Sequence, residues 1–213
     1  MRSEIWAIIL AAGSASRFGS LKQFATLAGV RLVDRAIAAA SSACDAVVVV
    51  LPACSAEVRM PVATTVIGGA TRVDSSRCGL AVVPADADIV VVHDAAHPLA
   101  SKSLFDAVIG EVRRGAAAAV PGLPLLEVLK RVEERRVVES HPKNGLFVVQ
   151  TPQAFRAEVL RAAHAHAPQA VEDSMLVEAL GEPVAVVPGD PANVHVATPR
   201  DLEVATRLVD LVD

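Results

Sequence analysis

Apolar positions fall in short unbroken runs rather than in alternation with polar ones. Ile5–Leu10 (IWAIIL), Ala46–Leu51 (AVVVVL), Val62–Val66, Ile89–Val92, Ala116–Pro121, Phe147–Gln150 and Val184–Val187 are such runs, each four to six residues long. They predict strands buried on both faces. Longer stretches with helical spacing lie between them: Leu32–Ala43, Ser75–Val82, Ser103–Arg114, Ala157–His166, Ser174–Leu180 and Arg200–Val212. Strands and helices in this order predict an α/β fold of three layers, with a mostly parallel sheet between helices. No repeat, low-complexity linker or composition break divides the 213 residues, so residues 1–213 are expected to form one domain.

One segment departs from the alternation. LKRVEERRVVES, Leu129 to Ser140, reads as two short charged strands around a turn at Glu133–Arg135. A hairpin with so little apolar surface does not stand alone. It is either a solvated edge or an arm that packs on something else, such as a second subunit.

Composition narrows the functional classes. Apolar residues make up 53% of the chain, yet no run approaches the roughly 20 residues of a membrane span. No basic-then-apolar leader opens the sequence, and a soluble cytoplasmic protein with no membrane partner is expected. Cys44, Cys54 and Cys78 form no CxxC pair, which argues against a disulfide framework or a structural zinc site and for three small buried hydrophobes. A net charge of −4 argues against a general nucleic-acid binder, and 3% aromatic residues without tyrosine remove most base-stacking platforms. Any anionic partner is therefore small and held by a few placed cations.

Open α/β sheets bind ligands beyond the carboxyl ends of their strands, so residues there carry the candidate chemistry. After the first strand comes LAAGSASRFGSLKQ, Leu10 to Gln23. Ala11, Ala12 and Gly13 let a backbone approach closely, and Gly13 and Gly19 can turn successive N–H groups into one concavity. Arg17 and Lys22 add two full charges. The glycine spacing matches neither GxGxxG nor a P-loop. Alone, the loop is either an anion nest or an ordinary strand-to-helix turn with solvated cations. GGATRVDSS, Gly68 to Ser76, offers two more glycines, and Asp74–Ser75 is expected to cap a helix. In VVVHDAAHP, Val90 to Pro98, Asp94 ends an apolar strand and is the foremost metal-ligand candidate. His93 and His97 lie four apart, but a strand precedes and Pro98 follows, which disfavours a helical zinc pair.

Together these segments resemble sugar-phosphate nucleotidyltransferases. AAGxxxRFGxxKQ, GGxxRxxS and HDAAxP are most similar to the 2-C-methyl-D-erythritol 4-phosphate cytidylyltransferase family of the non-mevalonate isoprenoid pathway. VVQTPQAF, EDSMLVEALG and PGDPANVHVATPRDL continue the likeness over nearly the whole chain. The resemblance implies a Rossmann-like nucleotidyltransferase fold with a β-arm around residues 129–145, acting as a homodimer through that arm. It implies that Leu10, Ala11, Ala12 and Gly13 wrap the triphosphate of CTP while Arg17 and Lys22 grip it. Gly69 and Ser75 are then cytosine contacts in a loop supported by Gly68 and Arg72, and Asp94 stands beside Mg²⁺ and the reacting phosphates.

The acceptor half departs from the family pattern. The arginine of HDAARP is His97, the threonine of a DT pair is Val128, and an arginine reaching in from the partner is Lys143. The threonine before the acidic pair is Val171, and the lysine of a KIT segment is His195. Two hydroxyls are lost, and two fixed charges become imidazoles that titrate near pH 6.5. If His97 and His195 hold the acceptor as imidazolium, its affinity should weaken as pH rises from about 6 to 8. The expected activity is CMP transfer from CTP to 2-C-methyl-D-erythritol 4-phosphate. The departures keep two alternatives open: another acceptor, such as a polyol phosphate or molybdopterin, or a non-catalytic nucleotide-binding paralogue.

Overall fold

In the computed structural model, which describes residues 4–13, 18, 21–55, 64–166 and 170–212, the apolar runs become strands of one eight-stranded sheet. The chain runs through β1 (Ile5–Leu10), the short pair β2 (Thr26–Leu27) and β3 (Val30–Arg31), then α1 (Leu32–Ser41) and β4 (Ala46–Leu51). Next come β5 (Thr64–Ile67), α2 (Arg72–Leu80), β6 (Ile89–Asp94), α3 (Lys102–Arg113) and β7 (Ala118–Pro124). The hairpin β8 (Leu129–Glu133) and β9 (Arg136–His141) precedes β10 (Phe147–Val149) and β11 (Gln153–Arg156). The chain closes with α4 (Ala157–His166), α5 (Asp173–Ala179), β12 (Val184–Pro188) and α6 (Pro199–Val212).

β1 lies at the centre, parallel to β4 on one side and β6 on the other, and β5 extends the parallel half beyond β4. On the far side of β6 the order reverses. β11 pairs antiparallel with both β6 and β7, β10 continues along β7, and β12 pairs parallel with β7. The fold class is as the sequence predicts. β11 was not expected, and of the run Val62–Val66 residues 62 and 63 lie outside the described residues.

Helices cover both faces, which explains the unbroken apolar runs. Ile5, Ala7 and Ile9 pack with Val33 and Ile37 of α1 and with Phe105 and Val108 of α3. Their neighbours Ile8 and Leu10 pack on the opposite side with Leu80 of α2, Leu160 of α4 and Leu176 of α5. α2 comes so close that a Cβ on Gly79 would sit 2.5 Å from Ile8 Cγ2. A third cluster, Leu27, Leu32, Leu99 and Val196, anchors α6 through Ala205 and Val209.

β8 and β9 form a separate two-stranded sheet. Glu134 and Arg135 have φ of 45° and 65°, a two-residue turn whose twist suits a hairpin. Its apolar residues are exposed, as are Phe147, Val148 and Val149 of β10. The cysteine expectation needs correction: Cys54 is exposed, and Cys44 and Cys78 are half-buried.

Candidate active site

Four strand ends, those of β1, β4, β5 and β6, are tied together by the backbone. Ala95 N–H donates to Leu10 O at 3.0 Å, Ala11 N–H to Val50 O at 2.9 Å, and Gly68 N–H to Leu51 O at 2.8 Å. The loops after β1, β5 and β6 therefore meet, and a cavity of about 550 Å³ opens among them. Leu10, Ala11, Ala12 and Gly13 form one wall, and Gly69 to Arg72 with Ser75 another. Asp94, Ala95 and Ala96 form the third, and Lys22, Gln23, Leu32 and His195 complete the lining.

Both glycines of GGATR are used for close packing. A Cβ on Gly68 would lie 2.5 Å from Ala12 Cβ and 2.8 Å from Ser75 Oγ, and one on Gly69 would lie 2.4 Å from Asp74 Cβ. The helix start differs from expectation. Thr71, not Asp74, is the cap of α2: its Oγ1 accepts Asp74 N–H at 3.0 Å, and Asp74 Oδ2 accepts Thr71 N–H at 3.2 Å. This reciprocal box satisfies two donors that the first turn leaves open. Arg72 consequently begins the helix, with its side chain on the cavity wall.

Lys22 and His195 reach the cavity through one docked segment. Val196 N–H donates to Ala96 O at 2.8 Å, and Lys22 Nζ donates to Val196 O at 2.9 Å. The segment is fastened from below by Gln150, whose Nε2 donates to Asp190 O and Asn193 O at 2.8 and 3.0 Å. Asn193 Nδ2 returns a bond to Thr151 O at 2.9 Å. These buried amides rigidify the wall because each donor has a partner.

At the third wall, Thr151 is a hub that sequence reading missed. Its Oγ1 accepts Asp94 N–H at 3.1 Å and lies 3.0 Å from His93 Nδ1 and 3.2 Å from His97 Nδ1. Burial lowers the His93 pKa to about 4, only partly offset by Asp94. His97 is also buried, and its pKa falls well below the usual value. Burial is the main cause, reinforced by His93, His195, Arg72 and Lys22. The expectation that His97 binds the acceptor as imidazolium is therefore corrected: at neutral pH it is an uncharged ring, stacked on His195 with centroids 5.0 Å apart.

Arg72 links the site to the interior. Its Nε–H is shared by Asp94 Oδ1 and Oδ2 at 3.1 and 3.3 Å, and Nη1 donates to Asp173 Oδ2 at 2.7 Å. Burial opposes its charge, yet the two carboxylates hold its pKa above the ordinary value.

A single carboxylate suits a hard cation whose other positions are filled by water and phosphate oxygens. Among the described residues no group of three or more His, Cys, Asp or Glu gathers as a cage, and Asp94 is the single carboxylate among the lining residues. Mg²⁺ commonly takes one or two carboxylates and fills its remaining positions with waters and substrate phosphates. Asp94, partly exposed at the cavity, suits that arrangement.

The sequence pattern of the family described as 2-C-methyl-D-erythritol 4-phosphate cytidylyltransferase matches residues 5–210. The chain belongs to this family. It is 42% identical over 218 residues to the enzyme of that name from Nocardia farcinica, covering 97% of this chain and 94% of the relative. The Rhodococcus jostii enzyme of the same name is 41% identical over 219 residues, covering 98% and 96%. The crystal structure of 2-C-methyl-D-erythritol 4-phosphate cytidylyltransferase from Thermus thermophilus superposes with a TM-score of 0.82 at 32% identity, covering 95% and 98%.

In this cytidylyltransferase-family chain the cavity gathers Leu10, Ala11, Ala12, Gly13, Lys22, Gly69, Arg72, Ser75, Asp94 and His195 of the residues read from sequence. Gly68 stands behind Ala12, and His97 lies under His195. Arg17 lies outside the described residues. Val128, Lys143 and Val171 are exposed and do not line the cavity; Lys143 Nζ donates to Leu126 O at 3.0 Å. Gln23, Thr71, Thr151 and Asp173 are additions from the structure. Thr71 had a legible signal, the T-x-x-D spacing of a capping box.

Proposed function

We propose that the chain transfers the cytidylyl group of CTP to the phosphate of 2-C-methyl-D-erythritol 4-phosphate and releases pyrophosphate. The observation that carries this reading is the meeting of Lys22, the Leu10–Gly13 loop, Gly69, Ser75 and Asp94 on one cavity, in a chain of this family. A phosphomonoester is largely dianionic at neutral pH, with a second pKa near 6, so its oxygen attacks without a general base. A bond forms between that oxygen and the α-phosphorus. The bond from the α-phosphorus to the bridging oxygen breaks, and pyrophosphate leaves with the electron pair.

The chain's task is to position the reactants and stabilise negative charge. Lys22 and the Ala12–Gly13 end of the first loop would face the phosphates, and the family resemblance adds Arg17 as a second cation. The close approach at Gly69 and Ser75 suits a pyrimidine and its ribose. Asp94 would hold Mg²⁺, which when bound supplies positive charge to the phosphates.

The exposed apolar faces of β8–β9 and β10 support a homodimer joined through the arm, with Lys143 presented to the partner's acceptor site. We place the reaction in the cytoplasm, where CTP is available. A second reading, CMP transfer to a different phosphorylated acceptor, is favoured by the uncharged His97 beneath the cavity wall. The test is incubation with CTP, Mg²⁺ and a panel of acceptor phosphates, reading pyrophosphate. Turnover with 2-C-methyl-D-erythritol 4-phosphate above all others supports the first reading. Turnover with another member supports the second. CTP binding without any turnover overturns both.

A further inference from the structure

A chain of polar contacts runs from the cavity to the far end of α4. His164 Nε2 is 2.9 Å from Asp173 Oδ1, and Asp173 Oδ2 accepts Arg72 Nη1 at 2.7 Å. Arg72 Nε is in turn shared by both oxygens of Asp94. The side chains of His164 and Asp173 are 4% and 0% exposed, while Arg72 and Asp94 are 24% and 23% exposed. The far half of the chain is thus sealed from solvent and the near half opens on the cavity.

Stability is a weak reason for this arrangement. Buried ion pairs are expensive to desolvate, and well-packed apolar replacements often match or exceed them. Orientation is a stronger reason. One shared N–H sets the tilt of the Asp94 carboxylate, so its orientation follows the guanidinium plane. An arginine side chain is long and rotamer-rich, and its plane is fixed only when a second acceptor holds another edge. Asp173 is that acceptor. With one oxygen on Arg72, Asp173 would still be free to turn about its terminal torsion; His164 holds the other oxygen. Burial opposes the charge of Asp173, but His164, Arg72 and the Ser76 hydroxyl together outweigh it and hold its pKa below the usual carboxylate range.

We propose that His164 and Asp173 are positioning residues that act through Arg72 to hold the Asp94 carboxylate in the orientation a divalent cation on the CTP phosphates requires. This rests on the reading of the cavity given above. Partners one shell behind a metal ligand typically change metal affinity or activity by about 10–100-fold when removed, and His164, three contacts from Asp94, is expected at the foot of that range.

The test measures Mn²⁺ binding by electron paramagnetic resonance in the presence of CTP, together with kcat and KM. His164→Leu is expected to weaken Mn²⁺ binding about tenfold. It should lower kcat by a similar factor, with KM for CTP changed less than about twofold. His164→Gln, which places an amide N–H where Nε2 stands, should recover most of both losses. Where His164→Leu does not fold, Asp173→Asn replaces it, with the same expectation at unchanged volume. Wild-type Mn²⁺ affinity and kcat in the folded variant overturn the proposal, as does equal impairment of His164→Leu and His164→Gln. If the wild type holds no Mn²⁺ with CTP, the reading of the cavity fails and the proposal falls with it. If the wild type holds it and the variants do so equally well, the proposal alone fails.

Discussion

The hydroxyl of Thr151 accepts the backbone N–H of Asp94 at 3.1 Å although 57 residues separate them in the chain. The same oxygen faces the Nδ1 atoms of His93 and His97. A hydroxyl has one hydrogen to donate, so one imidazole accepts from it and the other donates to it. Thr151 therefore fixes the end of β6 and both buried rings at once.

Thr151→Val keeps the volume and removes all three contacts. Leaving the Asp94 N–H and the Nδ1 atoms of His93 and His97 without this partner should destabilise the fold by about 1–3 kcal/mol per unsatisfied group. Thr151→Ser retains the hydroxyl and should recover most of that loss. Denaturant unfolding of the two variants checks this, and equal midpoints for Val and Ser would exclude the hydroxyl as the cause.

Lys22→Ala removes a cation from the cavity and one hydrogen bond to Val196 O. The lost bond should cost only about 1 kcal/mol. Turnover should fall about 10²–10³-fold, because the charge acts where the phosphates gain negative charge in the transition state. Thermal unfolding and pyrophosphate release, measured side by side, separate the two effects. Near-normal release would remove Lys22 from the reaction.

Acid should destabilise the protein well above the carboxylate range. In the unfolded chain His93 and His97 take up protons as pH falls through about 6.5. The folded protein keeps the proton off His93 down to about pH 4, and His97 is depressed in the same direction. Between those values the unfolded state binds more protons. Stability is thus complete above pH 6.5 and declines as pH falls toward 4, by about 3 kcal/mol for His93 alone. Asp173, whose folded pKa is lowered, contributes stability that is lost only below the usual carboxylate value. Unfolding free energies at a series of pH values check the sign, and a flat profile from pH 7 to 4.5 would contradict it.

What the sequence shows plainly is what neighbours along the chain determine. Apolar runs with charged or small residues at their ends locate β1 and β4 to the residue, and helical spacing does the same for α4. β11 escapes because QAFR is four residues long and mixes Gln and Arg with two apolar positions. The open edges of β6 and β7 make it a strand, not its own pattern. The site divides in the same way. The glycine-bearing loops are legible because each is contiguous, whereas Asp94, Thr151, Arg72 and Asp173 meet only through tertiary contacts. The state of His97 is hidden from the sequence for a related reason. Its ordinary pKa is a property of the residue type, but its charge is decided by burial under His195 and beside Thr151.

The arm offers a test of assembly. Val132 and Val137 are paired across β8 and β9 and are 55% and 59% exposed in the single chain. Replacing both with glutamate should leave the fold of one chain intact, since exposed substitutions typically change stability by less than about 0.5 kcal/mol. Sedimentation velocity is expected to give a dimer for the wild type and a monomer for the double variant. A wild-type monomer at all concentrations, or a dimer that survives the substitutions, would move the interface elsewhere.

Gly68 gives the last prediction, because its backbone holds two walls of the cavity together. Gly68 N–H is bonded to Leu51 O, and its Cα faces Ala12 and Ser75 so closely that a methyl group would lie 2.5 Å from Ala12 Cβ. Ser75 Oγ can rotate aside, but Ala12 Cβ has no torsion to relieve the overlap, so Gly68→Ala must push the first loop away from Gly68. Overpacking of this kind costs about 1–3 kcal/mol, and here the displacement falls on the loop expected to wrap the triphosphate. CTP affinity should therefore drop in Gly68→Ala. It should change far less in Gly115→Ala, where a Cβ meets nothing within 4 Å and the φ of 113° strains only a surface turn. Calorimetric titration of both variants with CTP distinguishes the two. Equal losses would mean that general destabilisation, rather than the spacing of Gly68 and Ala12, controls nucleotide binding.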